Sequence, residues 1–256
     1  MSVPVNQIIC GDNVETLRTL PDACVDLVVT SPPYDNLRTY GGHSWDFEGV
    51  AQQLWRVIKP GGVVVWVVND ATIDGSETGT SFRQALRFME IGFRLHDTMI
   101  YRRQGRYPDE QRYWADFEYM FILSSGKPIS VNLIRDEKSK RPGGGMTYSE
   151  RTTKGTLKPN YSGRVCHEWK ARSNVWDLGV ATNGTYPGHP ATFPETLARD
   201  HILSWSNEGD IVLDPFSGSG TTAKMAKLMG RQFIGIEINP EYCEIAAERL
   251  RQGVLF

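Results

Sequence analysis

The sequence predicts an α/β protein built on a largely parallel sheet, and three observations support this. Short apolar runs alternate with amphipathic segments at both ends of the chain. The longest apolar run, Val63–Val68, has the length and the β-branched content of a strand buried on both faces. A glycine-rich turn, Pro215–Thr222, lies between a predicted strand and a predicted helix, where α/β sheets bind ligands.

The first 126 residues account for one half of this domain. Phe47–Ile58 is predicted to be a helix because its apolar residues recur at helical spacing, and Pro60 with two glycines ends it. A further helix is predicted at Ser81–Ile91. Strands are predicted at Gln7–Cys10, Val25–Thr30, Val63–Val68, Leu95–Tyr101 and Tyr119–Leu123.

The periodicity stops between residues 127 and 186, where Gly, Pro, Ser, Thr and basic residues dominate, so we expect an insertion with long loops there. Residues 187–256 resume the α/β pattern and form the second half of the domain. The predicted elements there are helix Glu195–Trp205, strand Asp210–Asp214, helix Thr222–Met229, strand Gln232–Glu237 and helix Glu241–Arg251.

Composition narrows the function classes. The 256 residues carry 28 Lys and Arg against 30 Asp and Glu, so any nucleic-acid surface must be local. The four cysteines are far apart and fit neither a disulfide framework nor a zinc site, and we predict no metal. Because no segment has the pattern of a signal peptide or the length of a membrane span, we expect a cytoplasmic protein that does not contact a membrane.

The glycine-rich turn and the acidic residue Glu237 together predict an adenosine-containing cofactor. Its spacing is not that of a nucleotide-triphosphate loop, since no Lys follows Gly220. Glu237 ends the next predicted strand, where a carboxylate can accept hydrogen bonds from both ribose hydroxyls.

The segment Thr30-Ser31-Pro32-Pro33-Tyr34 predicts a rigid loop at the carboxyl end of a strand. Its two prolines restrict the backbone, so carbonyl oxygens and the Ser31 hydroxyl can converge on one point. An exocyclic base amine needs such acceptors for its N–H groups, because they favour a pyramidal nitrogen whose lone pair can attack a methyl group. Tyr34 offers a ring on which a base held outside the duplex can stack.

Together these motifs resemble those of amino-group DNA methyltransferases. Asp214–Thr222 is similar to that family's cofactor loop, Ile236-Glu237-Ile238 to its ribose-binding strand end, and Thr30–Tyr34 to its catalytic motif. The resemblance implies a Rossmann-like sheet, S-adenosyl-L-methionine as cofactor and double-stranded DNA as partner. It implies catalytic roles for Ser31, Pro32, Pro33 and Tyr34. It implies that S-adenosylmethionine is surrounded by Asp214, Phe216, Gly218, Ser219, Gly220, Thr221, Thr222 and Glu237.

Two further segments resemble parts of the same cofactor site. His189–Pro194 is similar to the segment that closes over the methionine end, which implies contacts from His189 and Phe193. Gly11-Asp12 is similar to the turn that reaches the adenine, which implies a contact from Asp12. A plain loop is the alternative for the first segment and an Asx turn for the second.

The order of the motifs resembles the β-group of these enzymes, in which the sheet is circularly permuted and the segment between the motifs is the target recognition region. The resemblance also implies a homodimer. From Arg135 to Arg172 the chain has ten basic and four acidic residues, a local surplus of six positive charges that suits DNA phosphates. The candidate DNA-binding residues are Arg102, Arg103, Arg141, Lys154, Lys158 and Arg164.

Family members with Ser in the first motif position more often modify cytosine N4, so we favour that target, with adenine N6 as the alternative. The catalytic loop contains no Pro-Cys pair, which argues against cytosine C5 methylation through a thiolate adduct. Protein and RNA methyltransferases usually have Asn in the place of Ser31 and an earlier cofactor loop. A catalytically inactive DNA-binding relic is a further alternative, although Ser31, Asp214 and Gly218 are all present.

Overall fold

The computed structural model describes residues 3–34, 45–103, 112–113, 115–151, 155–178 and 194–251, with only the backbone for 146–151 and 158–164. The chain forms two compact units. The larger one comprises residues 1–132 and 174–256, and the smaller one comprises residues 133–173. The smaller unit lies within the insertion predicted at 127–186.

The regular elements cover most of the described residues. In chain order they are β1 (Gln7–Cys10), α1 (Asn13–Thr19), β2 (Val25–Thr30), α2 (Phe47–Val57), β3 (Ile58–Val68), β4 (Thr72–Ile73), β5 (Ser76–Glu77), α3 (Thr80–Ile91), β6 (Arg94–Arg102), β7 (Phe117–Ser124), β8 (Glu137–Lys138), β9 (Gly145–Arg151), β10 (Leu157–Val165), β11 (Trp169–Lys170), β12 (Val175–Asp177), α4 (Glu195–Trp205), β13 (Ile211–Asp214), α5 (Thr221–Leu228), β14 (Gln232–Glu237) and α6 (Pro240–Arg251).

The larger unit is built on an eight-stranded sheet with the order β1-β14-β13-β2-β3-β7-β6-β12. All neighbouring strands are parallel except β7, which runs antiparallel to both β3 and β6. The C-terminal strands β13 and β14 lie between the N-terminal strands β1 and β2. The predicted α/β fold is therefore confirmed, and the two ends of the chain share one sheet.

The core lies on both faces of this sheet, and β3 shows why. Val64, Trp66 and Val68 point into one apolar cluster with α1, α2 and α3, whereas Val63, Val65 and Val67 point into the other with α4 and α5. Because successive side chains of a strand point to opposite faces, a continuous apolar run can be buried on both. This confirms the prediction made from Val63–Val68.

The structure differs from the predicted elements in several places, among them the unpredicted short strands β4 and β5. The helix α1 was not predicted; its N-cap Asp12 accepts a hydrogen bond from the backbone N–H of Glu15 at 2.9 Å. The strand β3 begins at Ile58, so the Pro-Gly-Gly segment belongs to a strand. The segment predicted as long loops contains five short strands, of which β12 joins the main sheet beside β6.

Across the described ranges, none of the helices combines the length and the apolar character that crossing a bilayer requires.

Candidate active site

The carboxyl ends of four neighbouring parallel strands bring several predicted site residues to one edge of the sheet. Asp12 follows β1, Glu237 ends β14, Asp214 ends β13, and the loop beginning at Ser31 follows β2. This is the edge at which open α/β sheets bind ligands. Both halves of the sequence thus contribute residues to the same place.

Asp214 links the predicted cofactor turn to the predicted catalytic loop. Its side chain is buried, and Oδ1 accepts hydrogen bonds from Thr30 Oγ1 at 2.7 Å and from the backbone N–H of Phe216 at 3.0 Å. Burial raises the pKa of Asp214 to about 6, although these hydrogen bonds act to lower it. The carboxylate is mostly ionised at neutral pH yet poorly solvated, which suits a cationic ligand.

The turn between β13 and α5 depends on two glycines with positive φ. Gly218 has a φ of 49° and Gly220 a φ of 79°, both in the left-handed region that glycine adopts most readily. A Cβ on Gly220 would lie 2.9 Å from the Cβ of Ala246 in α6, so a larger residue would not fit without movement. The helix α5 begins at Thr221, so its unpaired N–H groups follow the turn directly.

Glu237 joins this turn to the end of β14. Its Oε2 accepts the backbone N–H of Gly218 and its Oε1 that of Asn239, each at 2.8 Å. Carboxylate oxygens have further lone pairs, so both can still accept from ligand hydroxyls. The backbone N–H of Gly11 donates to the Glu237 main-chain oxygen at 2.9 Å, which places the Gly11-Asp12 turn beside the same strand end. The Asp12 side chain is exposed and caps α1, the Asx geometry that was the alternative for it.

The predicted catalytic loop is tied to a residue that the sequence did not single out. Ser31 Oγ lies 2.9 Å from Tyr34 Oη, and the Tyr34 hydroxyl donates to Glu118 Oε2 at 2.9 Å. The other carboxylate oxygen, Oε1, pairs with Arg103 Nη1 at 2.9 Å. Glu118 is buried, and it lies near the start of β7, whose antiparallel direction places that start at the same edge. An acidic residue inside an apolar strand is the sequence signal that indicates it.

Aromatic side chains pack against Phe216 in the turn between β13 and α5. The Trp45 ring contacts Phe216 edge-on with the ring centroids 4.9 Å apart, and it lies 6.1 Å from Trp66 of β3. Trp45 is therefore part of the packing around Phe216.

Arg249 of α6 is a second residue that sequence reasoning missed. Its buried guanidinium donates to the main-chain oxygen of Ser219 at 2.7 Å, to Ser219 Oγ at 2.8 Å and to Glu195 Oε1 at 2.8 Å. It holds the glycine-rich turn against α4 and α6. A basic residue in an amphipathic helix carries no sequence signal for such a contact.

The other predicted site residues are distributed as follows. Pro32 is buried and Pro33 half-buried in the catalytic loop, while Ser219 and Thr222 are buried around the cofactor turn. Arg102 lies 3.5 Å from Asp116, and Arg141 is exposed in the smaller unit. Outside the described residues lie His189, Phe193 and Lys154, as do the side chains of Lys158 and Arg164.

Residues 25–248 match the N6/N4 methyltransferase family, described as DNA methylase. The chain belongs to this family. Two curated relatives match this chain over nearly its whole length. The orphan methyltransferase M.BamHII of Bacillus amyloliquefaciens is 53% identical over 93% of each chain. The DNA adenine methyltransferase YhdJ of Escherichia coli (strain K12) is 31% identical over 95% of this chain and 82% of its own length.

Solved structures show the same fold. A DNA modification methylase homologue from Thermus thermophilus, determined in complex with S-adenosyl-L-methionine, has a TM-score of 0.64 and 28% identity, covering 96% of the methylase and 95% of its own chain. The cytosine-N4-specific PvuII DNA methyltransferase has a TM-score of 0.70 at 20% identity. The match covers 100% of this chain and 89% of the PvuII chain. The family uses S-adenosylmethionine, and the carboxylates of Asp214, which is buried, and Glu237, which ends a strand, supply negative charge and hydrogen-bond acceptors that fit this cationic, ribose-containing molecule.

Proposed function

We propose that this methylase transfers a methyl group from S-adenosylmethionine to the exocyclic amine of a base held outside double-stranded DNA, with cytosine N4 as the favoured target. One observation carries the proposal. The 2.7 Å hydrogen bond from Thr30 to Asp214 joins the loop that suits an amine to the turn that suits the cofactor. Amine and methyl donor would therefore meet at one edge of the sheet.

When bound, S-adenosylmethionine supplies a methyl group activated by a positively charged sulfur. The protein's own residues have to orient the amine and exclude water. Ser31 Oγ and main-chain oxygens of the proline-restricted loop accept from the amine N–H groups, which directs the nitrogen lone pair toward the methyl group. No enzyme nucleophile is needed, because the lone pair of the amine forms the new N–C bond while the methyl–sulfur bond breaks, and the methylated nitrogen then loses one proton to water. Orientation in a closed site supplies several kcal/mol or more of the lowering of the barrier.

The cofactor roles are proposed for the residues at the β13 and β14 strand ends. Asp214 would stabilise the positively charged methionine end, and Glu237 would accept from the ribose hydroxyls. Gly218 and Gly220 would allow the main chain to approach closely. Asp12 would reach the adenine from the end of β1.

Cytosine N4 is favoured by Ser31 in the first motif position. The relatives include a DNA adenine methyltransferase, so adenine N6 is the second candidate. Both amines present the same pair of N–H groups to Ser31, and the rest of the base must provide the discrimination.

We further propose that the smaller unit contacts DNA. Two of its acidic residues are neutralised within it, because Arg172 pairs with Asp136 and Lys170 Nζ lies 2.5 Å from Glu137. Among its described side chains, exposed cations such as Arg141 outnumber the acidic residues that remain. Contacts of this kind bind phosphates without reading sequence and weaken as salt increases.

The function is tested by identifying the product. The protein is incubated with isotopically labelled S-adenosylmethionine and unmethylated duplex DNA, and the DNA is digested to nucleosides for chromatography and mass spectrometry. N4-methylcytosine is the expected product. N6-methyladenine would correct the base only, whereas unmodified DNA across varied sequences would refute the proposed activity.

A relic that binds DNA without catalysis is separated from an enzyme by calorimetry. The enzyme should release or absorb heat on binding S-adenosylmethionine, and this heat should be lost in Asp214→Ala. A relic should give no binding heat in either protein.

A further inference from the structure

The hydrogen bonds around the catalytic loop have a defined direction. The Tyr34 hydroxyl has one proton, and it donates this proton to Glu118 Oε2, an acceptor with no proton to give when ionised. Tyr34 Oη therefore has only lone pairs to offer to Ser31. The 2.9 Å contact between Ser31 Oγ and Tyr34 Oη must then use the Ser31 proton.

We infer that Glu118 is a positioning residue which acts through Tyr34 to turn Ser31 Oγ into a pure hydrogen-bond acceptor for the target amine. The inference rests on the function proposed above. A free serine hydroxyl can rotate and present its proton to an amine N–H, which is an unfavourable contact between two donors. With its proton held by Tyr34, Ser31 can present only lone pairs to the substrate.

The surroundings keep this relay in one state. Arg103 Nη1 pairs with Glu118 Oε1 at 2.9 Å, so this ion pair occupies one carboxylate oxygen and leaves Oε2 as the acceptor for Tyr34. Burial, followed by the charge of Glu118, raises the pKa of Tyr34 well above its ordinary value, so the hydroxyl retains the proton that it donates. The side chains of Glu118 and Arg103 are 9% and 18% exposed, so water competes weakly for these contacts.

The relay also explains why a tyrosine serves at the fourth position of the loop. Stacking of a base needs only an aromatic ring, which phenylalanine would supply equally well. The hydroxyl is needed for the hydrogen bonds to Ser31 and Glu118. Tyr34→Phe therefore separates the relay from stacking, and it leaves the Glu118–Arg103 ion pair intact.

The test compares Tyr34→Phe, Glu118→Gln and the double variant with the wild-type protein. Single-turnover methylation of duplex DNA should slow by at least about tenfold in each single variant, while KM for DNA and the calorimetric Kd for S-adenosylmethionine stay within about twofold of wild type. In the double variant the loss of rate should not exceed the larger of the two single losses, because both changes break the same series of hydrogen bonds. Tyr119→Phe, which removes a neighbouring hydroxyl outside the relay, should keep the wild-type rate.

The outcomes separate this inference from the proposed function. If the wild-type protein does not methylate DNA, the function is wrong. If it does, and Tyr34→Phe retains the full rate, the relay is wrong and the function stands. Losses that multiply in the double variant would also refute the relay. Thermal unfolding of each variant identifies a loss caused by misfolding, and Tyr34→Phe, which breaks no ion pair, then decides alone.

Discussion

Replacing Asp214 by Asn should stabilise the cofactor-free protein at neutral pH while weakening cofactor binding. Burial raises the pKa of Asp214 from 3.8 to about 6, so the folded state holds the carboxylate in an unfavourable environment. This difference in pKa between the unfolded and the folded state corresponds to about 3 kcal/mol of unfolding free energy. Asn removes the charge, and its oxygen can still accept from Thr30 and from the Phe216 N–H.

The raised pKa of Asp214 determines how the unfolding free energy changes with pH. Below about pH 3 the carboxyl group is mostly neutral in both states, so its contribution to stability is fully present. As the pH rises from about 4 through about 6, the unfolded chain ionises first, and the wild-type protein loses up to about 3 kcal/mol. Asp214→Asn lacks this loss, so its advantage in unfolding free energy should be about 1 kcal/mol at pH 4.5 and about 3 kcal/mol at pH 7.5.

Urea unfolding of both proteins at pH 4.5 and pH 7.5, without cofactor, measures these differences. Calorimetry with S-adenosylmethionine at pH 7.5 should show at least about tenfold weaker binding to the variant, since a favourable charge contact of about 1.4 kcal/mol or more is removed. An advantage that is equal at both pH values, or a variant less stable than wild type at pH 7.5, would refute the burial argument.

Two other substitutions test the division of labour in the site. Ser31→Ala should slow single-turnover methylation by about a hundredfold or more while calorimetry shows S-adenosylmethionine affinity within about twofold of wild type; an equally large loss of affinity would contradict the role assigned to Ser31. Gly220→Ala should destabilise the protein by about 2 kcal/mol or more in urea unfolding and weaken cofactor binding, because its Cβ would lie 2.9 Å from Ala246 in a backbone with φ of 79°. Gly75 has a similar φ of 76°, but a Cβ added there would have no neighbouring atom within 4 Å. Gly75→Ala should therefore cost only the backbone strain of about 1 kcal/mol and leave cofactor binding unchanged.

The fold could be predicted from sequence where the pattern is local. β2 and β14 have the predicted limits because short, mainly apolar runs followed by turn residues leave little choice of boundary. The helix α1 was missed because only seven residues of modest amphipathicity follow its capping aspartate. Strand β12 was missed because a strand of three residues is too short to show a period. Its central residue, Trp176, is nevertheless buried beside β6.

The candidate site divides in the same way. The motifs around Ser31, Asp214 and Glu237 could be chosen from sequence because each contains several constrained residue types in a row. Glu118 could not, and Arg103 was chosen only as a candidate DNA contact, since the pairing of two single charged residues depends on how distant parts of the chain meet. Nothing in the order of residues states that β7 runs antiparallel and so delivers Glu118 to the edge where β2 ends.

The sequence by itself determined the fold class, the family and the segments proposed to carry the chemistry, because short-range constraints on prolines, glycines and apolar runs are present in consecutive residues. The tertiary structure alone decided how those segments meet: that β13 lies beside β2, that Thr30 bonds Asp214, and that a buried carboxylate orients Tyr34. Strand order and direction are set by the burial of whole faces of the sheet against helices, a property of the assembled core that no local pattern contains.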